Sequence, residues 1–124
     1  MRFFLAVMAI LGGCATVQPP SPVSEPAPAP AAATGSAAVA SLVTSARADA
    51  AAGRLVQAAA SLERALRIEP RNARLWHELA QVRLRQRDYA QAASLANRSN
   101  TLAGPDAELR AANQRLIDEA RGAR

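Results

Sequence analysis

The chain is 124 residues long and half apolar, and its formal net charge of +5 at pH 7 is carried on the positive side by arginine alone, since lysine does not occur. One cysteine and one histidine leave no intrachain disulfide and no Cys/His zinc cluster. The length leaves room for one small domain.

The N-terminus opens with Arg2, a run without polar residues over 3–11, and then Leu11-Gly12-Gly13-Cys14. The run is too short to span a bilayer, which takes about 20 apolar residues. The small residues before the lone cysteine resemble the lipobox of bacterial lipoproteins, whereas an ordinary secretory signal would need no cysteine there. The resemblance implies that residues 1–13 are a signal peptide removed in the mature protein. It also implies that the Cys14 thiol takes diacylglycerol and that the freed amine is acylated, by palmitate or a similar chain. Two or more chains hold a protein stably on a membrane, at roughly 0.8 kcal/mol per buried CH₂, where one does not. Ala15 stands where many enteric lipoproteins retained at the inner membrane have aspartate. The resemblance therefore implies the outer membrane, with the folded part facing the periplasm.

Residues 14–36 are expected to form a tether. Six of the eight prolines fall here (Pro19, Pro20, Pro22, Pro26, Pro28 and Pro30), among Ala, Ser and Val, with Glu25 the single charge. Proline removes a backbone donor and restricts the residue before it, so neither helix nor sheet is expected. A polyproline-II-biased spacer of about 20 residues reaches roughly 60 Å. A proline-rich docking ligand is the rival reading, but no PxxP with a flanking arginine is present.

Residues 37–124 are expected to fold as an all-α domain. No run alternates with period two, and glycine and proline are confined to breaks. The predicted helices are 37–52, ended by Gly53; 55–69, closed by Pro70; 72–86, capped by Asn72; 89–103, ended by Gly104-Pro105; and 106–121. Leu55, Ala58, Ala59, Leu62, Ala65 and Leu66 share a face of the second, and Leu75, Trp76, Leu79, Ala80 and Val82 a face of the third. Leu109, Ala112, Leu116 and Ala120 form the stripe of the fifth.

Shifted by 34 residues, the chain matches itself: Ala46 falls on Ala80, Leu55 on Tyr89, Ala58-Ala59 on Ala92-Ala93, and Ile68 on Leu102. Trp76, Leu79-Ala80, Asp88-Tyr89 and Ala92 in the second unit, and Ala58, Leu62, Ala65 and Pro70 in the first, resemble the tetratricopeptide-repeat family. The repeats are expected at about 39–72 and 73–106, with a capping helix at about 106–121 outside the repeat register. Ser45, Asp49, Arg83, Ala96 and Ser99 depart from the family pattern. Two repeats and a cap fall below the usual minimum of three units, so a homodimer or a docked partner is expected to complete the core.

No catalytic constellation, metal site or cofactor motif is present, so no enzymatic activity is expected. The carboxylates are expected in ordinary same-helix pairs, such as Glu63 with Arg67 and Arg74 with Glu78. The basic charge is a generic sign of nucleic-acid binding, which the export signal sets aside. In the resembled family the first helix of each pair lines a concave surface. That implies a partner-binding groove carrying Arg74, His77, Gln81, Leu84 and Arg85 from the second repeat, and Ala40, Val43, Arg47 and Ala50 from the first. Such a lining suits a peptide with an acidic and an aliphatic portion. Trp76 and Tyr89 are expected to be structural.

The lipobox, tether and repeat pair together resemble the outer-membrane lipoproteins that activate class A penicillin-binding proteins. The resemblance implies a protein that contacts a peptidoglycan synthase in the periplasm. Three other roles remain open: scaffold for a pilus or secretin assembly, adaptor for a periplasmic protease, and a structural lipoprotein without a partner.

Overall fold

The computed structural model describes residues 31–123, and side chains from residue 36. The expected signal peptide, Cys14 and residues 15–30 of the expected tether lie outside the described residues.

Five helices follow in order: α1 (Ala31–Ala51), α2 (Leu55–Ile68), α3 (Ala73–Arg85), α4 (Tyr89–Leu102) and α5 (Ala107–Gly122). Among the described residues there is no strand. The breaks obey local chemistry. Gly53 turns α1 into α2 at φ 78°, a left-handed conformation that costs glycine little. Arg87 makes the equivalent turn between α3 and α4 at φ 63°. Asn72 Oδ1 accepts from the backbone N–H groups of Arg74 (3.1 Å) and Leu75 (3.4 Å). Asp88 caps α4 through Gln91 N (3.1 Å), and Asp106 caps α5 through Leu109 N (3.0 Å). Each cap satisfies donors that the first helical turn leaves unpaired.

Apart from helix ends that move by one residue, two features differ from the sequence expectation. Helix α1 begins at Ala31 rather than 37. The last tether proline is Pro30, and the alanines that follow are the strongest helix formers, so helix can start as soon as proline stops. Helix α5, expected outside the repeat register, keeps it. Helices α2 and α4 start 34 residues apart, and so do α3 and α5. The buried Leu109, Asn113 and Leu116 of α5 take the positions of Leu75, Leu79 and Val82 in α3. Thus α5 stands where the first helix of a third repeat would stand. Asn113 replaces the apolar residue there, which hid the register.

The core has two parts. Helices α1, α2 and α3 enclose one around Leu62, which is 1% exposed, with Val39, Leu66, Leu75, Leu79 and Val82. Helices α3, α4 and α5 enclose the other around Ala80, Ala92, Ala96, Leu116 and Ile117. Ala58, Ala65, Ala92 and Ala96 are fully buried. Their methyl groups let helices approach closely, and the leucines between them each contribute about 1.5–3 kcal/mol by burial.

Four of the five departures from the family pattern have structural accounts, and nothing in the structure explains Ser45. Ala96 lets α5 close in. Ser99, fully buried, donates to Ala73 O (2.8 Å) and accepts from Asn113 Nδ2 (2.8 Å). Arg83 donates to Glu63 (2.6 Å) and Gln86 (2.9 Å), while its buried Nε lacks a partner. Asp49 pairs with Arg54 (2.8 Å) across the first turn. Trp76 is half-buried against the first core, donates Nε1 to Pro70 O (2.9 Å) and carries the Arg98 guanidinium 5.8 Å from its ring. Tyr89 packs on the second core.

The same-helix pairs do not form. Glu63 joins Arg83 instead of Arg67, and Glu78 joins Arg47 instead of Arg74, whose partner is Asp106. A same-helix pair contributes only about 0.2–0.5 kcal/mol. A neighbouring helix that brings another arginine within reach displaces it easily, and for Glu63 that arginine, Arg83, is also the less exposed partner of its pair.

Candidate partner-binding groove

The first helices of the pairs, α1 and α3, stand beside α5 on one face. The 34-residue step places Arg47 of α1, Gln81 of α3 and Arg115 of α5 at equivalent positions. They form a row across three helices, about 10 Å per helix.

A hollow of about 390 Å³ lies between α1 and α3. Its floor is apolar, from Ala46, Ala50, Leu62, Val82 and Leu84, and Arg47, Glu78, Gln81 and Arg85 complete its lining. A second hollow of about 200 Å³ lies between α3 and α5, lined by His77, Gln81, Leu84, Ala112, Arg115, Leu116 and Glu119. Gln81 and Leu84 line both, so the hollows meet across α3.

The expected groove residues divide accordingly. Arg47, Gln81, Leu84 and Arg85 line the first hollow with Ala50, and His77 lines the second. Arg74 lines neither; its guanidinium donates to Asp106 Oδ2 (2.7 Å) at the cap of α5. Val43 packs against the first core, and the carbonyl of exposed Ala40 accepts from Thr44 Oγ1 (2.9 Å). Cys14 lies outside the described residues. The sequence reading missed Glu78, and it missed Ala112, Arg115 and Glu119 of α5. Applying the 34-residue shift twice, from Arg47 through Gln81, lands on Arg115 and would have found it.

The electrostatics are specific. Glu78 accepts from Arg47 Nε (3.2 Å) and Nη2. That hydrogen bond, with the coulombic attraction of the carboxylate, raises the Arg47 pKa above its ordinary value against a small opposing burial effect. Arg85 and Arg115 take part in no ion pair among the described residues. The groove therefore presents two unanswered cations.

His77 is held from behind. Asn113, fully buried, donates Nδ2 to Ser99 Oγ (2.8 Å) and Asn100 Oδ1 (2.9 Å). Its Oδ1 is thus left to accept from His77 Nδ1 (2.7 Å). The ring is fixed in the Nδ1–H tautomer, and Nε2 remains as the atom open to a ligand. Among the described residues no group of three His, Cys, Asp or Glu side chains could hold a metal ion. None of the described helices is long and apolar enough to cross a membrane.

First helices set side by side on one face, with apolar hollows and ordered polar groups between them, define a helical-repeat fold. The family model for the tetratricopeptide repeat matches residues 49–116, more than half the chain and well into α5. The chain belongs to the tetratricopeptide-repeat family. A comparison with curated proteins gives no match. Among solved structures, the globular C-terminal domain of P. aeruginosa LpoP is similar, at 44% sequence identity and a TM-score of 0.67 over 68% of this chain and 80% of that one. The folded part is LpoP-like, a module built for protein interaction.

Proposed function

We propose that this protein is an outer-membrane lipoprotein, anchored through Cys14, whose groove binds a periplasmic region of a class A penicillin-binding protein and activates peptidoglycan synthesis. The observation that carries the reading is the LpoP likeness, 44% identity over most of that domain. The lipobox and the proline-rich segment before α1 support the same architecture.

Lipid chains on Cys14 hold the mature N-terminus at the membrane. Residues 14–30, as an extended proline-rich chain, reach roughly 50 Å, and the 21 residues of α1 add about 30 Å of rigid rod. The groove is thereby carried into the periplasm toward a synthase that projects outward from the inner membrane. Activation follows if the groove binds the active conformation of the synthase more tightly than the inactive one. A shift from 1:99 to 99:1 requires a difference of about 5.5 kcal/mol, within the range of a well-packed peptide interface.

The test is crosslinking of the full-length lipoprotein in intact envelopes, followed by mass spectrometry of its partners. A class A penicillin-binding protein as dominant partner, with faster glycan polymerisation on adding the lipoprotein, is the expected result. A secretin, a pilus component or a protease at the top of the list overturns this reading in favour of a scaffold or adaptor.

A further inference from the structure

Resting on the reading of the concave face as the binding site, we infer that the groove selects an extended peptide with an aliphatic side chain and a carboxylate three residues apart. The aliphatic group enters the hollow between α1 and α3, and the carboxylate meets Arg115 on α5.

The first hollow supplies the aliphatic preference. Ala46, Ala50, Leu62, Val82 and Leu84 form a floor without a hydrogen-bonding side chain. A polar group seated there would lose water without gaining a partner, whereas a leucine-sized group gains by burial. Of the two cations on its lining, Arg47 is already matched by Glu78, and Arg85 is the last residue of α3, about one helix turn away from Gln81 and the row.

The row across the groove supplies the carboxylate. Of its members, Arg47 is paired, Gln81 is an amide, and Arg115 is a cation without a carboxylate partner among the described residues. Arg85 lies about one helix turn, roughly 6 Å, along α3 from Gln81. A chain that joins both hollows must cross α3 over Gln81 and Leu84, so it runs along the row and meets Arg115. The Gln81 amide sits where the peptide backbone crosses and can both donate to it and accept from it. The spacing follows from the helices. One hollow lies about 10 Å from the next, which a chain in the extended polyproline-II conformation covers in about three residues, with the side chain returned to the same face.

The test is an array of ten-residue Ser/Gly peptides, each bearing one Leu and one Glu at separations from one to six in both orders, probed with the purified full chain. Binding is expected to peak at separation three and to fall at least tenfold when Leu becomes Ala or Glu becomes Gln. Arg115→Glu should transfer the preference to peptides with Lys in place of Glu. Ala50→Leu, which fills the first hollow, should erase the Leu preference and keep the Glu preference. Thermal melts of both variants confirm that they remain folded. Binding independent of separation, no binding by any peptide, or no charge reversal in Arg115→Glu overturns the inference. The two readings fail separately. A penicillin-binding protein captured equally well by Arg115→Glu and Ala50→Leu overturns the motif and leaves the activator reading intact. The motif selected as stated, with no synthase captured, overturns the activator reading alone.

Discussion

Replacing Asn113 by alanine tests whether the buried amide holds α5 to the repeats. The side chain is fully buried and makes three hydrogen bonds, with His77 Nδ1, Ser99 Oγ and Asn100 Oδ1. Each contributes about 1 kcal/mol net. Ser99, itself fully buried, keeps its bond to Ala73 O but loses its donor, whereas half-buried His77 and Asn100 can turn to water. Alanine is a better helix former than asparagine by about 0.6 kcal/mol, which offsets part of the loss. The sum is a destabilisation of about 2–3 kcal/mol. In a domain of this size that lowers the midpoint of thermal unfolding by about 10–20 °C, read by circular dichroism at 222 nm on the full chain. His77→Ala alone should cost about 1 kcal/mol in the wild-type background and almost nothing in Asn113→Ala, a coupling of at least about 0.5 kcal/mol. A midpoint lowered by less than about 3 °C, or additive effects of the two substitutions, would show that the amide network does not hold the helix.

The two inter-helix turns give opposite expectations at equivalent positions. Arg87→Gly should stabilise by up to about 1 kcal/mol, because it relieves a left-handed arginine, and Gly53→Ala should destabilise by about the same amount; matched melts measure both. Arg74→Glu sets a carboxylate against Asp106 and should lower the melting midpoint by a few degrees, at about 0.5–1 kcal/mol. Arg85→Glu, with no ion pair to break among the described residues, should leave the midpoint unchanged; equal losses would contradict the pairing. Among the described residues, Val56 and Ile68 are the exposed large apolar ones, at 71% and 44%. The chain with Cys14→Ser is accordingly expected to sediment as a monomer, and a dimer at micromolar concentration would instead support the homodimer. The same substitution removes the thiol that lipidation needs, so the chain should no longer take up labelled palmitate in cells; incorporation by the Cys14→Ser chain equal to that of the unaltered chain would refute acylation through Cys14.

Much of the fold was legible from residues that act over one helical turn. Gly53, Asn72, Asp88 and the Gly104-Pro105 pair mark helix ends because a left-handed turn, a capping oxygen or a missing donor has its effect within a few residues of its own position. The 34-residue match of Ala58 with Ala92 and Leu55 with Tyr89 carried the repeat, since stacked helix pairs need small and large apolar groups at fixed intervals. The start of α1 was misplaced for a local reason as well: Gly35 and Ser36 resemble linker composition, yet an alanine run on their N-terminal side extends the helix through them.

Partnerships across helices belong to the tertiary structure. The sequence places Glu63 one turn from Arg67, and only the stacking of α3 against α2 offers it the less exposed Arg83. Asn113 reads as a polar interruption of the α5 stripe, until packing surrounds it with His77, Ser99 and Asn100 and its polarity is satisfied. That same substitution concealed the register of α5, and with it the place of Arg115 in the groove. Composition and short-range stereochemistry thus determine that this chain forms helices in repeating pairs behind a proline-rich segment. Which charges remain unanswered on the concave face depends on distances between helices, and those exist only once the helices have packed.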